Sequence, residues 1–90
     1  MLVLPAELTH EQAAACSRML AQAIQARGGQ HAICDARALQ RFDSSALAVL
    51  LECRREAMAR GQAFHVRNMP PRLRDLATLY GVAELLPAAP

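Results

Sequence analysis

The apolar positions of the chain fall into segments whose spacing alternates between that of a strand and that of a helix. Short apolar runs at residues 2–4, 31–34 and 63–66 predict three strands. Apolar residues that recur every three or four positions follow each run and predict three helices. Strands that alternate with helices need crossover connections. The pattern therefore predicts an α/β fold, with the order strand, helix, strand, helix, strand, helix and the helices packed on a small, largely parallel sheet.

The first predicted helix carries a signal at each end. Thr9 precedes Gln12 by three residues, which is the spacing of a capping box. Gly28 and Gly29 follow the last helical position, Arg27, and are expected to end the helix. Apolar residues at helical spacing between these ends are Cys16, Leu20, Ala23 and Ile24.

The other two predicted helices are bounded by glycine and proline. The second follows the stretch FDSS at residues 42–45 and runs to about Arg60, with Gly61 as its cap. The third starts at Pro70 and Pro71, because proline is tolerated in the first helical turn, and it ends at Gly81. Leu73, Leu76, Ala77 and Tyr80 repeat at helical spacing within it, and Val82, Leu85 and Leu86 form a short apolar segment after it.

Length and composition predict a single domain over residues 1–90. The chain is 53% hydrophobic but only 3% aromatic, so aliphatic residues must form its core. Ninety residues cannot build a second core. A net charge of +2, with arginines spread along the chain, gives no indication of nucleic-acid binding. The longest apolar run, residues 46–51, is far shorter than the ~20 residues of a membrane span, so no direct membrane insertion is expected.

The cysteines and histidines predict neither a disulfide framework nor a metal centre. The three cysteines are odd in number and lack CxxC spacing, which predicts reduced, buried thiols in a cytosolic protein. The three histidines stand alone in the sequence, without a partner at metal-ligand spacing. No metal and no cofactor is therefore expected. These residues are Cys16, Cys34, Cys53, His10, His31 and His65.

The stretch FDSS offers more side-chain oxygens than a helix start requires. Asp43, Ser44 and Ser45 supply three in a row, whereas one is enough to cap the second helix. In one interpretation Asp43 is the cap, and the two serines are ordinary first-turn residues. In the other, a hydroxyl of the first turn accepts a phosphate or hydrogen-bonds a partner. Free amides and the positive end of the helix dipole would favour a phosphate there.

A helical wheel divides the second helix into an apolar arc and a polar side. The arc expected to lie on the sheet contains Ala46, Leu47, Leu50, Cys53, Ala57 and Met58. The opposite side contains Ser45, Val49, Glu52 and Glu56. An exposed valine can be incidental. Alternatively, Val49 belongs with Ser45, Ala48 and Glu52 to a shallow patch of small residues, against which a helix of another protein could pack closely.

The residues Asp43-Ser44-Ser45-Ala46-Leu47 resemble the D-S-S-G-L signature of STAS domains, the fold of anti-anti-sigma factors. The resemblance covers nearly the whole chain, including the strand that ends at Asp35. The segment 71–82 is most similar to the MlaB branch, whose members are small solitary STAS subunits. MlaB proteins bind the ATPase of the Mla phospholipid ABC transporter. Ala46 replaces the usual glycine of the signature, and its methyl group is expected to hinder the close approach of a kinase.

The resemblance implies a function and a set of site residues. In the MlaB branch the hydroxyl residue after the aspartate contacts the ATPase, which implies this role for Ser44. The chain would then be a non-enzymatic adaptor that binds the ABC ATPase and, indirectly, the membrane permease. It would be cytoplasmic, held at the inner membrane through protein partners, in a system for outer-membrane lipid asymmetry. The expected partner-binding residues are Asp43, Ser44, Ser45, Ala48, Val49 and Glu52.

The anti-anti-sigma branch implies an alternative function. There the second serine of the signature is phosphorylated, which corresponds to Ser45. The chain would then be an anti-sigma factor antagonist, and its partner would be an anti-sigma factor kinase.

Enzymatic activity is the third hypothesis, and it is not favoured. Asp35 and Asp43 could both lie at the carboxyl edge of the sheet, where open α/β folds bind ligands. However, neither has a histidine or lysine nearby in the sequence to act as a base, and the chain has no Gly-rich phosphate loop.

Overall fold

The structure, a computed structural model, describes residues 1–89 and confirms the α/β fold. Its elements are β1 (Leu2–Val3), β2 (Glu7–Leu8), α1 (His10–Arg27), β3 (His31–Asp35), β4 (Arg41–Phe42), α2 (Ser45–Ala59), β5 (Ala63–Arg67) and α3 (Pro71–Leu79), followed by a 3-10 turn (Ala83–Leu85). The order of strands and helices predicted from the sequence is present. The structure adds β2 and β4, which have two residues each and are too short to show an alternating pattern.

Every strand pairing in the described residues is parallel. β1, β3 and β5 form one sheet in that order, with Leu2 opposite Cys34 and Cys34 opposite Val66. β2 and β4 form a separate pair. The two crossovers, β1 to β3 and β3 to β5, step in the same direction across the sheet. Because such crossovers are right-handed, α1 and α2 lie side by side on one face, and they make the most extensive contact between elements.

The hydrophobic core lies between this sheet face and the two helices. Its members share near-complete burial and come from strands and helices alike: Leu2, Leu4, Ala32, Cys34 and Val66 from the sheet side, Cys16, Leu20 and Ile24 from α1, and Ala46, Leu47, Val49, Leu50, Cys53 and Ala57 from α2. The capping box of α1 is also present, since Gln12 Oε1 accepts the backbone N–H of Thr9 at 2.8 Å. Gly28 follows the helix with a φ of 65°, as its predicted role as a helix end requires.

The exposures predicted for two residues of α2 are wrong. Val49 is 1% exposed and belongs to the core, whereas Met58 is 54% exposed. The wheel assumed that the sheet alone covers α2, but α1 covers a second side of the helix. On that side Gln25 of α1 donates a hydrogen bond to Glu56 at 3.1 Å. The buried arc is therefore turned toward Val49 and away from Met58.

The segment after α3 extends the sheet beyond β5. Leu86 is completely buried, and its carbonyl oxygen accepts a hydrogen bond from Arg74 at 3.1 Å. The Val66 N–H then donates to Pro87 O at 2.8 Å, and the Ala89 N–H donates to Val66 O at 2.9 Å. This segment is thus a short parallel extension of the sheet at the edge of β5.

The three cysteines are free and buried, as predicted. Burial raises the pKa of all three thiols, that of Cys53 to about 12. Because the thiolate is the reactive form, we expect no thiol to react with an aromatic disulfide reagent at neutral pH in the native protein. All three should react after denaturation in guanidinium. Rapid modification of one thiol without denaturant would contradict the burial seen here.

Within the described residues, no helix has both the length and the apolar character needed to cross a membrane.

Candidate partner-binding site

Asp43 holds the N-termini of two helices. Its Oδ1 atom accepts the backbone N–H of Ser45 at 2.8 Å, at the start of α2. Its Oδ2 atom accepts the backbone N–H of His10 at 3.1 Å, at the start of α1. These first-turn amides have no partner inside their own helix, so one carboxylate satisfies an end of each. The interpretation of Asp43 as a cap therefore holds, and its second partner lies in an element distant in the sequence.

These hydrogen bonds favour the ionised form of the carboxyl group. The Ser45 N–H has the largest effect in lowering the pKa of Asp43, and the His10 N–H lowers it further. A carboxyl whose pKa is lower in the folded than in the unfolded protein stabilises the fold above its unfolded pKa, roughly 3.9. That contribution disappears as the pH falls through the folded pKa.

We expect Asp43→Asn to lower the free energy of unfolding at pH 7 and to lose this effect in acid. The amide keeps one acceptor oxygen and loses the charge that both helix ends favour. The measurement is urea unfolding of the wild type and the variant from pH 7 to below pH ~4, where carboxylates become protonated. The difference in the free energy of unfolding between the wild type and the variant should become smaller as the pH falls. A constant difference would show that the charge of Asp43 contributes nothing.

The two serines have different environments. Ser44 is exposed, whereas Ser45 is half-buried. The first-turn amides of α2 were expected to be free to bind a phosphate, but two of them are already hydrogen-bonded. The Ser45 N–H donates to the side chain of Asp43, and the Ala46 N–H donates to the backbone oxygen of Asp43. Ala46 is completely buried, so the expectation that its methyl group obstructs an approaching partner is also wrong.

An apolar groove lies between α2 and the end of α3, and we call it the α2/α3 groove. It has a volume of about 260 Å³ and is lined by Ser44, Leu47, Ala48, Leu51, Tyr80 and Val82. Tyr80 is 59% exposed, and its neighbour Leu79 is exposed as well. Close to the start of α2, the guanidinium of Arg72 on α3 lies 5.2 Å from the centre of the Phe42 ring. The groove is a concave, mostly apolar surface with one hydroxyl, Ser44, in its lining.

The structure brings only some of the predicted site residues to this groove. Ser44 and Ala48 line it, whereas Val49 is buried in the core and the backbone N–H of Ser45 donates to Asp43. Glu52 is exposed as expected, and its carboxylate lies 3.7 Å from the guanidinium of Arg55. The exposed face of α2 therefore keeps most of its predicted positions, and it differs by the loss of Val49 to the core and the gain of Met58.

Four groove residues were missed as site residues by the sequence interpretation. Leu47 was assigned to the buried arc, and Tyr80 to the apolar repeat of α3. Leu51 and Val82 had no role beyond apolar segments. A groove between two helices depends on their packing, so the only available signal was that Tyr80 and Val82 flank the helix-ending Gly81.

The two aspartates considered for catalysis are held by separate structural hydrogen bonds. Asp35 is buried and accepts the Arg37 N–H at 2.9 Å and the Asn68 side-chain amide at 3.1 Å. The Asn68 hydrogen bond has the largest effect in lowering the pKa of Asp35, followed by the Arg37 N–H. Neither Asp35 nor Asp43 has the raised pKa that suits a general acid. Both carboxylates instead stabilise ends of secondary-structure elements.

Comparison with known proteins identifies the family. A family model described as "Mlab, STAS domain" matches residues 1–87. No curated protein matches the chain. The match covers the strands β1 to β5, the three helices and every residue of the α2/α3 groove. The chain therefore belongs to the STAS domain family and is MlaB-like.

Proposed function

We propose that this chain is a non-enzymatic adaptor that binds the ABC ATPase of an Mla-type phospholipid transporter through the α2/α3 groove. The observation that carries the proposal is the exposed hydroxyl of Ser44 in the lining of an apolar groove. Ser44 is the residue to which the MlaB resemblance assigns the ATPase contact. Domains of the STAS family are generally regulatory or adaptor modules rather than enzymes.

The groove has the chemistry of a protein-binding surface. Its apolar walls, Leu47, Leu51 and Val82, would lose contact with water when a partner side chain enters. Ala48 has only a methyl group, so a partner backbone can approach α2 closely. Tyr80 supplies a large, amphipathic side chain of the kind that is enriched in protein interfaces. The occupant that fits is an apolar segment of the ATPase with a polar group opposite Ser44.

This function places the chain in the cytoplasm, at the inner membrane, through protein contacts alone. The ATPase would connect it to the permease. The absence of a membrane-spanning helix within residues 1–89 is compatible with that arrangement.

The geometry gives less support to the alternative, an anti-sigma factor antagonist switched at Ser45. A phosphate on Ser45 would carry about two negative charges beside the carboxylate of Asp43, whose lowered pKa keeps it ionised. That repulsion would disturb the starts of both α1 and α2. Ser44, by contrast, is exposed, and within residues 1–89 its side chain makes no hydrogen bond to a carboxylate.

The test is co-purification of the ATPase encoded beside this chain with the wild type and with Ala48→Arg. The arginine would fill the groove, so recovery of the ATPase should fall by at least about tenfold, the equivalent of 1.4 kcal/mol. Ala15→Arg is the matched control, because Ala15 is an exposed alanine of α1 outside the groove and should retain the wild-type recovery. Equal recovery with Ala48→Arg and the wild type, or no ATPase with the wild type, would refute the proposal.

A further inference from the structure

The face of the sheet opposite α1 and α2 is not covered by any helix in the described residues. Side chains alternate across a sheet, so the neighbours of the buried Cys34 and Val66 point away from the core. On that outer face Val3 is 58% exposed, and Ile33 and His65 are half-buried. The face is therefore partly accessible to solvent.

Two histidines distant in the sequence meet on this outer face. His31 is opposite Ala63, and Ile33 is opposite His65, so the histidines occupy diagonal positions on adjacent strands. Their ring centroids lie 6.1 Å apart, with an angle of 35° between the ring planes. The rigid register of β3 and β5 thus fixes a pair of imidazoles that the sequence spacing did not indicate.

The ring of His65 has an unsatisfied nitrogen. Its Nδ1 atom has no hydrogen-bond partner within residues 1–89, and it is shielded from solvent, so an ion can reach it only when neighbouring side chains move. A shielded polar atom without a partner is unusual in a folded protein and calls for an explanation. A neutral imidazole carries a lone pair on one nitrogen, and such a nitrogen is the commonest metal ligand in proteins.

We propose that His31 and His65 form a surface site for a borderline transition-metal ion such as Zn²⁺, Ni²⁺ or Cu²⁺. Two imidazoles that bind one ion at metal–nitrogen distances of about 2.0–2.1 Å have ring centroids roughly 4.5–6.5 Å apart, depending on the angle at the metal. The observed separation of 6.1 Å lies near the wide end of this range, so the two rings must approach each other to reach the tetrahedral angle of Zn²⁺. The exposed His31 side chain can adjust, and water molecules complete the coordination.

The surroundings restrict which ions this site accepts. Arg27 lies beside His31, and Arg67 shares the outer face with His65. These positive charges disfavour a purely electrostatic site for Mg²⁺ or Ca²⁺, which need oxygen ligands that are missing here. No group of three or more metal-ligating side chains exists in the described residues. The site therefore has two protein ligands, and the ions that suit imidazole are Zn²⁺, Ni²⁺ and Cu²⁺.

The experiment is a calorimetric titration of Zn²⁺ into protein without a histidine tag, with His31→Ala, His65→Ala and His10→Ala compared to the wild type. Loss of groups that merely support metal ligands costs about 10–100-fold in affinity, so loss of His31 or His65 should weaken binding by at least about tenfold. His10→Ala, at the start of α1, should bind like the wild type. The buried thiols should not compete, because burial raises their pKa.

Amide spectra recorded during the titration locate the ion. Shifts confined to β3 and β5 in the wild type, and lost in both His31→Ala and His65→Ala, would support the site. Binding that is unchanged in either variant, or the lack of saturable Zn²⁺ binding by the wild type, would overturn it. Melting curves of the apo variants verify folding, since neither side chain belongs to the core.

Discussion

Val49→Arg is expected to unfold the protein rather than only to block a partner. Val49 is 1% exposed and belongs to the core, on the side of α2 that α1 covers. An arginine there would bury a charge for which the core offers no partner, and such changes cost about 4 kcal/mol or more. A domain of 90 residues is stabilised by only about 5–13 kcal/mol. Most of its stability should therefore be lost.

Ala48→Arg is the matched control, because it places the same side chain on the exposed neighbour. Surface changes usually alter stability by less than about 0.5 kcal/mol. Thermal melts followed by circular dichroism should show a normal transition for Ala48→Arg and a lost or strongly lowered one for Val49→Arg. If both variants melted like the wild type, α2 would have to be rotated from the orientation described here.

Leu86→Ala is expected to destabilise the protein by about 2–5 kcal/mol, the usual range for a buried leucine. Leu86 is completely buried, and its position leads directly into the backbone pairing with Val66. In a domain of this size such a loss lowers the melting temperature by about 10 °C or more. The contribution is large for a residue so close to the end of the sequence.

Leu85→Ala provides the comparison, since Leu85 is 38% exposed and lies outside the core. Its effect on the free energy of unfolding, measured in urea, should be a fraction of that of Leu86→Ala. Similar losses in both variants would mean that the segment is held by general apolar contact and not by the burial of Leu86.

The sequence predicted the architecture because each long element carried its own local signal. The apolar strand runs, the capping box at Thr9 and the glycine after α1 depend only on neighbours in the sequence, and the structure has all of them. The same holds for Pro71 at the start of α3. The strands, the helices and the helix ends were therefore predictable, because their signals lie in residues close together in the sequence.

The candidate site was predicted less well because it depends on packing between distant elements. Ser44 and Ala48 were expected to bind a partner and do line the groove, but Val49 was assigned to the wrong environment because the wheel could not include α1 as a second covering surface. The hydrogen bond from His10 to Asp43 joins residues that no local pattern connects. Tyr80 likewise becomes part of a groove only when α3 lies beside α2.

The backbone pairing at Val66 also bears on how the protein avoids self-association. An open sheet edge presents unpaired N–H and C=O groups that can recruit a strand from another molecule. At the edge of β5 that faces away from β3, the N–H of Val66 already donates to Pro87, and the C=O of Val66 already accepts from Ala89. The other edge, β1, has only two residues. A three-stranded parallel sheet thus offers little edge for aggregation, and variants that detach the segment after Leu86 should be aggregation-prone as well as less stable.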